Sequence, residues 1–166
     1  MTSQGVPGYA RHTCDNMESQ APCGGIIVLD NTGRHVVVVE THPGQLGFTK
    51  GKRAKGETLR ECAIRETAEE CGLTWDQLAQ IPLREPLIEY TDRGSLSVEY
   101  MLATALRGRG LRWPPNELAM VTWMPVEKAI LHRKLRERRK RLLQAAVERF
   151  STYMEEESKS VASKGC

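Results

Sequence analysis

The sequence predicts an α/β fold, and three observations predict it. Short apolar, β-branched runs lie on either side of turn signatures. A capped helical segment sits between them, over residues 58–71. A long helical pattern follows late in the chain. The 166 residues suit one domain with a real core, and the apolar fraction of 40% is ordinary for a globular chain. Residues 1–20 are polar and mixed and read as a flexible lead-in, with an edge strand around Tyr9 as the alternative. Residues 21–157 read as the folded domain and 158–166 as a flexible tail. No apolar run reaches the roughly 18 residues of a membrane span, and the first residues lack the apolar core of a secretory signal. The five cysteines (Cys14, Cys23, Cys62, Cys71, Cys166) show no CxxC pair. The expectation is a reduced, intracellular, cytoplasmic protein with neither disulfides nor zinc.

Residues 23–29 (CGGIIVL) and 35–39 (HVVVV) form a predicted hairpin, because Asp30, Asn31, Thr32 and Gly33 between them are turn formers. Their unbroken apolarity predicts strands covered on both faces. Gly24 and Gly25 allow either close approach of a ligand or close packing. Residues 41–45 form a loop in which His42 is either an acid–base candidate or a solvated side chain. Residues 50–56 (KGKRAKG) read as a basic, glycine-containing loop that offers amides and positive charge to phosphate.

The helix that follows has clear ends. Thr58 with Glu61 fits a capping box, Leu59, Cys62 and Ala63 recur at helical spacing, and Gly72 then Leu73 fit a left-handed stop. Glu66, Glu69 and Glu70 project from one face. Like charges so placed destabilise a helix, and a bound cation turns that repulsion into coordination by the oxygen ligands magnesium prefers. An acidic solvated face is the competing explanation. Arg65 beside Glu66, Glu57 placed to pair with Arg65, and the basic loop favour a site that holds a metal against a phosphate.

Residues 74–80 read as a short turn or helix. Residues 83–90 and 95–106 are strand-like, with a turn at 91–94. Tyr90 and Tyr100 are placed either to flank a nucleobase or to pack as cross-strand aromatics. Residues 107–116 form a Gly/Pro loop with Arg107, Arg109, Arg112 and Trp113. A strand over 118–124 and a helix from Pro125 to about 156 complete the chain. Leu131, Leu135, Leu142, Ala146 and Phe150 hold one helix face. Arg133, Lys134, Arg136, Arg138, Arg139, Lys140 and Arg141 crowd the others, and serve either RNA phosphates or a solvated surface. The net charge of +3 does not choose between them.

Residues 51–73 resemble the Nudix box, G-x5-E-x7-R-E-U-x-E-E-x-G-U, where U is a bulky aliphatic. Gly51, Glu57, Arg65, Glu66, Glu69, Glu70, Gly72 and Leu73 fall on its positions, and only Thr67 departs. The approach Gly47-Phe48-Thr49-Lys50-Gly51 is similar to that of diadenosine tetraphosphate hydrolases and of the catalytic domain of mRNA decapping enzymes, with Thr49 where those carry proline. The resemblance implies a mixed sheet sandwiched between helices. It also implies Mg2+, or Mn2+ in its place, held by Glu66, Glu69, Glu70 and the Gly51 carbonyl. Glu69, Glu70 and Glu117 are the candidates for general base, Glu117 by its place before the last strand. Arg65 and Glu57 would orient the carboxylates, and Lys50 and Lys52 would meet the phosphate chain. The implied activity is hydrolysis of a nucleoside diphosphate linked to another moiety, first of all a dinucleoside polyphosphate such as diadenosine tetraphosphate. Removal of an RNA 5′ cap is the alternative, and RNA or nucleotide binding without catalysis the second alternative. The expected partners are the nucleotide substrate, with RNA on the basic helix, in a monomer or homodimer.

Overall fold

The computed structural model describes residues 19–165; the readings of residues 1–18, the strand around Tyr9 included, lie outside them. β1 (Cys23–Asp30) and β2 (His35–Thr41) form the expected hairpin. Its turn closes where the Gly33 amide donates to the Asp30 carbonyl at 3.0 Å, with Gly33 at a φ of 71° that side chains rarely adopt. β3 (Leu46–Gly47), β4 (Thr49–Lys52), α1 (Leu59–Cys71) and a 3-10 turn (Trp75–Gln77) follow. Then come β5 (Ala79–Ile81), β6 (Leu87–Tyr90), β7 (Leu96–Ala105), β8 (Leu118–Pro125), α2 (Val126–Leu131) and α3 (Glu137–Lys164).

The sheet is mixed. β1 runs parallel to β7 along its whole length, from Cys23 opposite Val98 to Asp30 opposite Ala105. The other strand ladders are antiparallel: β4 on β1, β2 on β8 and β3, β5 and β6 on β7. Gly24 and Gly25 are neighbours on β1 and so face opposite sides. A Cβ at Gly24 would fall 2.9 Å from the Leu59 carbonyl of α1. One at Gly25 would fall 2.9 Å from the Tyr100 ring and 2.2 Å from the Thr49 carbonyl. Both glycines therefore serve close packing, with α1 on one face and α3 on the other. Ile26, Phe48, Leu102 and Leu143 are fully buried between these layers, and burying each such side chain contributes about 1.5–3 kcal/mol.

Four elements differ from the sequence reading. Two short strands, Leu46–Gly47 and Thr49–Lys52, take up the start of the loop expected over 50–56, because β4 pairs its backbone with β1. Ala79–Ile81 adds a strand to β7. The long C-terminal helix is two helices. Over 132–136 the chain leaves the helix, the Lys134 carbonyl accepts the Leu46 amide at 3.1 Å, and Leu135 bridges Leu46. Leu131 consequently stands 83% exposed, while Leu135, Leu142, Ala146 and Phe150 are buried as expected. Finally, α3 continues to Lys164, past the point where the sequence suggested a flexible tail. No helix among the described residues is long and apolar enough to cross a membrane.

Candidate active site

The site forms where α1 faces β4. The helix starts as its sequence dictates: Thr58 Oγ1 accepts the Glu61 amide at 3.1 Å, which satisfies one of the first-turn donors. It stops at Gly72, whose φ of 81° is left-handed. The buried face (Leu59, Cys62, Ala63, Thr67, Glu70, Cys71) lies on the sheet.

Gly51 is the closest approach. A Cβ there would fall 1.9 Å from the carboxyl carbon of Glu66. The Glu66 carboxylate occupies the space that any side chain at 51 would need. The Gly51 carbonyl accepts the Cys62 thiol at 3.3 Å.

Arg65 organises the acidic cluster. Its guanidinium grips Glu57 through two bonds, Nε to Oε2 at 2.7 Å and Nη2 to Oε1 at 2.9 Å. Nη1 reaches Glu66 Oε1 at 2.8 Å and Glu69 at 3.2 Å, and Nη2 also donates to the Lys52 carbonyl. The Arg65 hydrogen bonds hold the Glu57 carboxyl down at about 2. Three carboxylates on one guanidinium leave an excess of negative charge. Burial raises the Glu66 carboxyl from its ordinary value, and the charges of Glu69 and Glu57 add to this against the pull of Arg65.

Glu70 is 8% exposed and accepts the Lys50 amide at 2.9 Å. Burial pushes its carboxyl up to about 7; the Lys50 amide and charge oppose this, and the charges of Glu66 and Glu117 reinforce it. Glu117 is therefore within electrostatic reach of Glu70, on an exposed turn closed by its own amide and the Pro114 carbonyl. His42, the loop candidate, donates from Nε2 to the Pro115 carbonyl at 2.9 Å and so ties two loops beside that turn.

Among the described residues, no three His, Cys, Asp or Glu side chains converge as a ready-made metal cluster. Arg65 holds Glu66 and Glu69, and the Lys50 amide holds Glu70. The donor set nevertheless fits a hard divalent cation. It consists of oxygens alone, and the carboxyls of half-buried Glu66 and buried Glu70 are both raised, which a nearby cation would relieve.

Three sequence readings are corrected here. The amides of the 50–56 segment are not offered to phosphate throughout: those of Lys50, Arg53 and Ala54 go to Glu70, the Pro22 carbonyl and Glu57. Tyr100 is fully buried, its hydroxyl donating to Glu89 and its ring edge-on to Phe48, so it has no face for a base. Tyr90, half exposed, lines a groove of about 610 Å³ between β6 and α3. Arg138 and Arg139 of the basic helix are turned inward, onto Glu89. Glu89 itself was missed, although a carboxylate inside a strand pattern is a signal that a buried partner is needed. The two residues that depart from the expected motif, Thr49 and Thr67, meet each other: their hydroxyls lie 2.9 Å apart, and Thr49 also donates to the Ile26 carbonyl.

Comparisons with known proteins bear on the family and the fold. The NUDIX domain pattern matches residues 20–146. The Arabidopsis thaliana mRNA-decapping enzyme subunit 2 is 34% identical over 106 residues, which are 63% of this chain but only 28% of that protein. A C. elegans Ap4A hydrolase, solved as a binary complex, superposes with a TM-score of 0.63 at 23% identity, over 80% of this chain and 96% of that one. The E. coli dihydroneopterin triphosphate pyrophosphohydrolase does so with a TM-score of 0.60 at 14% identity, over 75% and 93%. At these identities the solved structures speak for the fold. The box, the mixed sheet between helices and the match across residues 20–146 together make this chain a member of the NUDIX family, a Nudix hydrolase.

Proposed function

We propose that the chain hydrolyses a nucleoside diphosphate linked to another moiety, with a dinucleoside polyphosphate such as diadenosine tetraphosphate as the substrate class. The observation that carries the reaction is Glu70, a carboxylate of α1 buried against β4, fixed by the Lys50 amide and raised to about 7 in the absence of a cation. A bound cation would draw that carboxyl back toward its ordinary value and keep it charged, the form that accepts a proton. Because Oε1 accepts the amide, Oε2 is the oxygen left to receive the proton of the attacking water.

Nudix hydrolases use divalent metal ions. Magnesium, or manganese, would be held by Glu66, Glu69 and Glu70 with the Gly51 carbonyl, and would supply polarisation of the phosphate and offset charge on its oxygens. Arg65 keeps Glu66 and Glu69 oriented while Glu57 keeps Arg65 in place. Gly51 leaves room for Glu66. The Lys50 and Lys52 side chains meet the phosphate chain, Tyr90 remains the aromatic that can stack on a base, and Glu117 adds negative charge that keeps Glu70 basic.

The inward turn of Arg138 and Arg139 supports a compact nucleotide over a long RNA. One observation favours cap removal as the second reading: the 34% identity to the decapping subunit. A side-by-side assay with diadenosine tetraphosphate and capped RNA, each with magnesium and with chelator, separates the two. Magnesium-dependent cleavage of the dinucleotide is expected. Cleavage of capped RNA alone transfers the site to the second reading, and binding without cleavage of either overturns the reaction.

A further inference from the structure

A buried charge must be paired or it destabilises the fold. Glu89, 3% exposed, meets this demand through three donors. The Tyr100 hydroxyl donates to Oε1 at 3.0 Å, Arg138 Nε donates to Oε2 at 3.0 Å, and Arg139 Nε lies 3.1 Å from both oxygens.

The two arginines are not equivalent beyond this shared carboxylate. Arg138 also pairs with Asp92, in the turn between β6 and β7. Arg139 reaches inward: Nη1 donates to the Leu46 carbonyl at 2.7 Å. Its guanidinium lies over Gly47, where a Cβ would fall 2.9 Å from Nη1. Tyr100, bonded to the same carboxylate, sets its ring at 88° to Phe48 with centroids 5.7 Å apart. Leu46, Gly47 and Phe48 are thus each held by a member of one network. Lys50, whose amide meets Glu70, lies two residues further on. At about 3.3 Å per residue, an error at Gly47 reaches Lys50 with little chain to absorb it.

We propose that Arg139, fixed by Glu89, is a positioning residue for the active site. It holds β3 and Phe48 so that β4 presents the Lys50 amide to Glu70. Its effect on turnover rests on the function proposed above, while its effect on β3 and β4 does not.

The test compares Arg139→Lys with Arg138→Lys in the full chain. A lysine keeps the charge beside Glu89 but cannot supply the guanidinium fork, so both variants retain the pairing and only the first loses the grip on Leu46. Hydrogen–deuterium exchange over residues 46–52 needs no substrate. It is expected to quicken about tenfold in Arg139→Lys and to stay within about twofold of wild type in Arg138→Lys. With the nucleotide that the wild type cleaves, kcat is expected to fall about tenfold in Arg139→Lys at unchanged KM, and to stay within about twofold in Arg138→Lys. Equal exchange in the two variants, or a fall in kcat no larger in Arg139→Lys, overturns the proposal. A wild type that cleaves neither nucleotide nor capped RNA defeats the proposed function instead, and the exchange contrast then decides the positioning alone.

Discussion

Two charged clusters lie on opposite faces of the same sheet, and they are built on opposite principles. Around Arg65, one guanidinium faces Glu57, Glu66 and Glu69, with Glu70 nearby. Around Glu89, one carboxylate is met by two guanidiniums and a hydroxyl, and Asp92 balances the second arginine. The first cluster carries surplus negative charge and half-exposed groups; the second is nearly neutral and seals its shared carboxylate inside, with Asp92 at the surface. Surplus charge that the fold does not compensate marks a place where a ligand is needed. Balanced charge marks scaffold, even when its sequence is the more basic of the two.

The contrast breaks first if the surplus is not functional. Glu66→Gln and Glu70→Gln are each expected to lower turnover by about 10²–10³-fold while the thermal midpoint holds or rises, since a neutral amide replaces a desolvated carboxylate. Activity near wild type in both purified variants would sink the site. Gly51→Ala is expected to weaken manganese binding roughly tenfold, read by titration, because the new methyl displaces Glu66.

The two clusters should also answer pH with opposite sign. Burial opposes the Glu89 charge, but Arg139, Arg138 and Tyr100 outweigh it and hold the carboxyl below its ordinary value. Its stabilisation is present above the unfolded carboxylate pKa, about 4.3, and is lost as pH falls through the lower folded value. Glu70 is raised to about 7, so its contribution is present below the unfolded pKa and is lost as pH rises through about 7. In chelator, denaturant titrations should show Glu89→Gln flattening the acid limb and Glu70→Gln flattening the neutral one. Glu89→Gln should also cost about 3 kcal/mol at pH 7, because it leaves Arg139 without a carboxylate and Arg138 with Asp92 alone. The smallest effect is expected on the buried face of the box helix. Thr67→Val removes one hydroxyl contact, leaves Thr49 bonded to Ile26, and should cost about 1 kcal/mol with kcat unchanged.

The same contrast explains what the sequence could reveal. The acidic cluster was legible because Arg65, Glu66, Glu69 and Glu70 are helix neighbours, and Thr58 and Gly72 announce the helix that carries them. The sealed cluster joins Glu89 to Arg138 and Arg139 across some fifty positions, |i−j| of 49 and 50, and no local rule reaches that far. Its basic half therefore read as an open surface, for RNA phosphates or for solvent. Tyr100 was partly legible, since it alternates in phase with Leu96, Val98 and Leu102, and that phase faces the core. The break over 132–136 was not, because no proline or glycine marks it. The Lys134 carbonyl is drawn off by a strand almost ninety residues earlier in the chain.

That break has a mechanical consequence for α3. Its four buried residues, Leu142, Leu143, Ala146 and Phe150, all lie in the first half of a 28-residue helix. At about 1.5 Å per residue, the remainder extends roughly 20 Å and meets the domain through Tyr153 and the ion pair of Glu156 with Arg84. The helix is a clamped beam: the base is locked by the core and by Glu89, and the tip rests on intrinsic helix propensity. Heat or denaturant should unwind it from the tip inward, long before the active site notices.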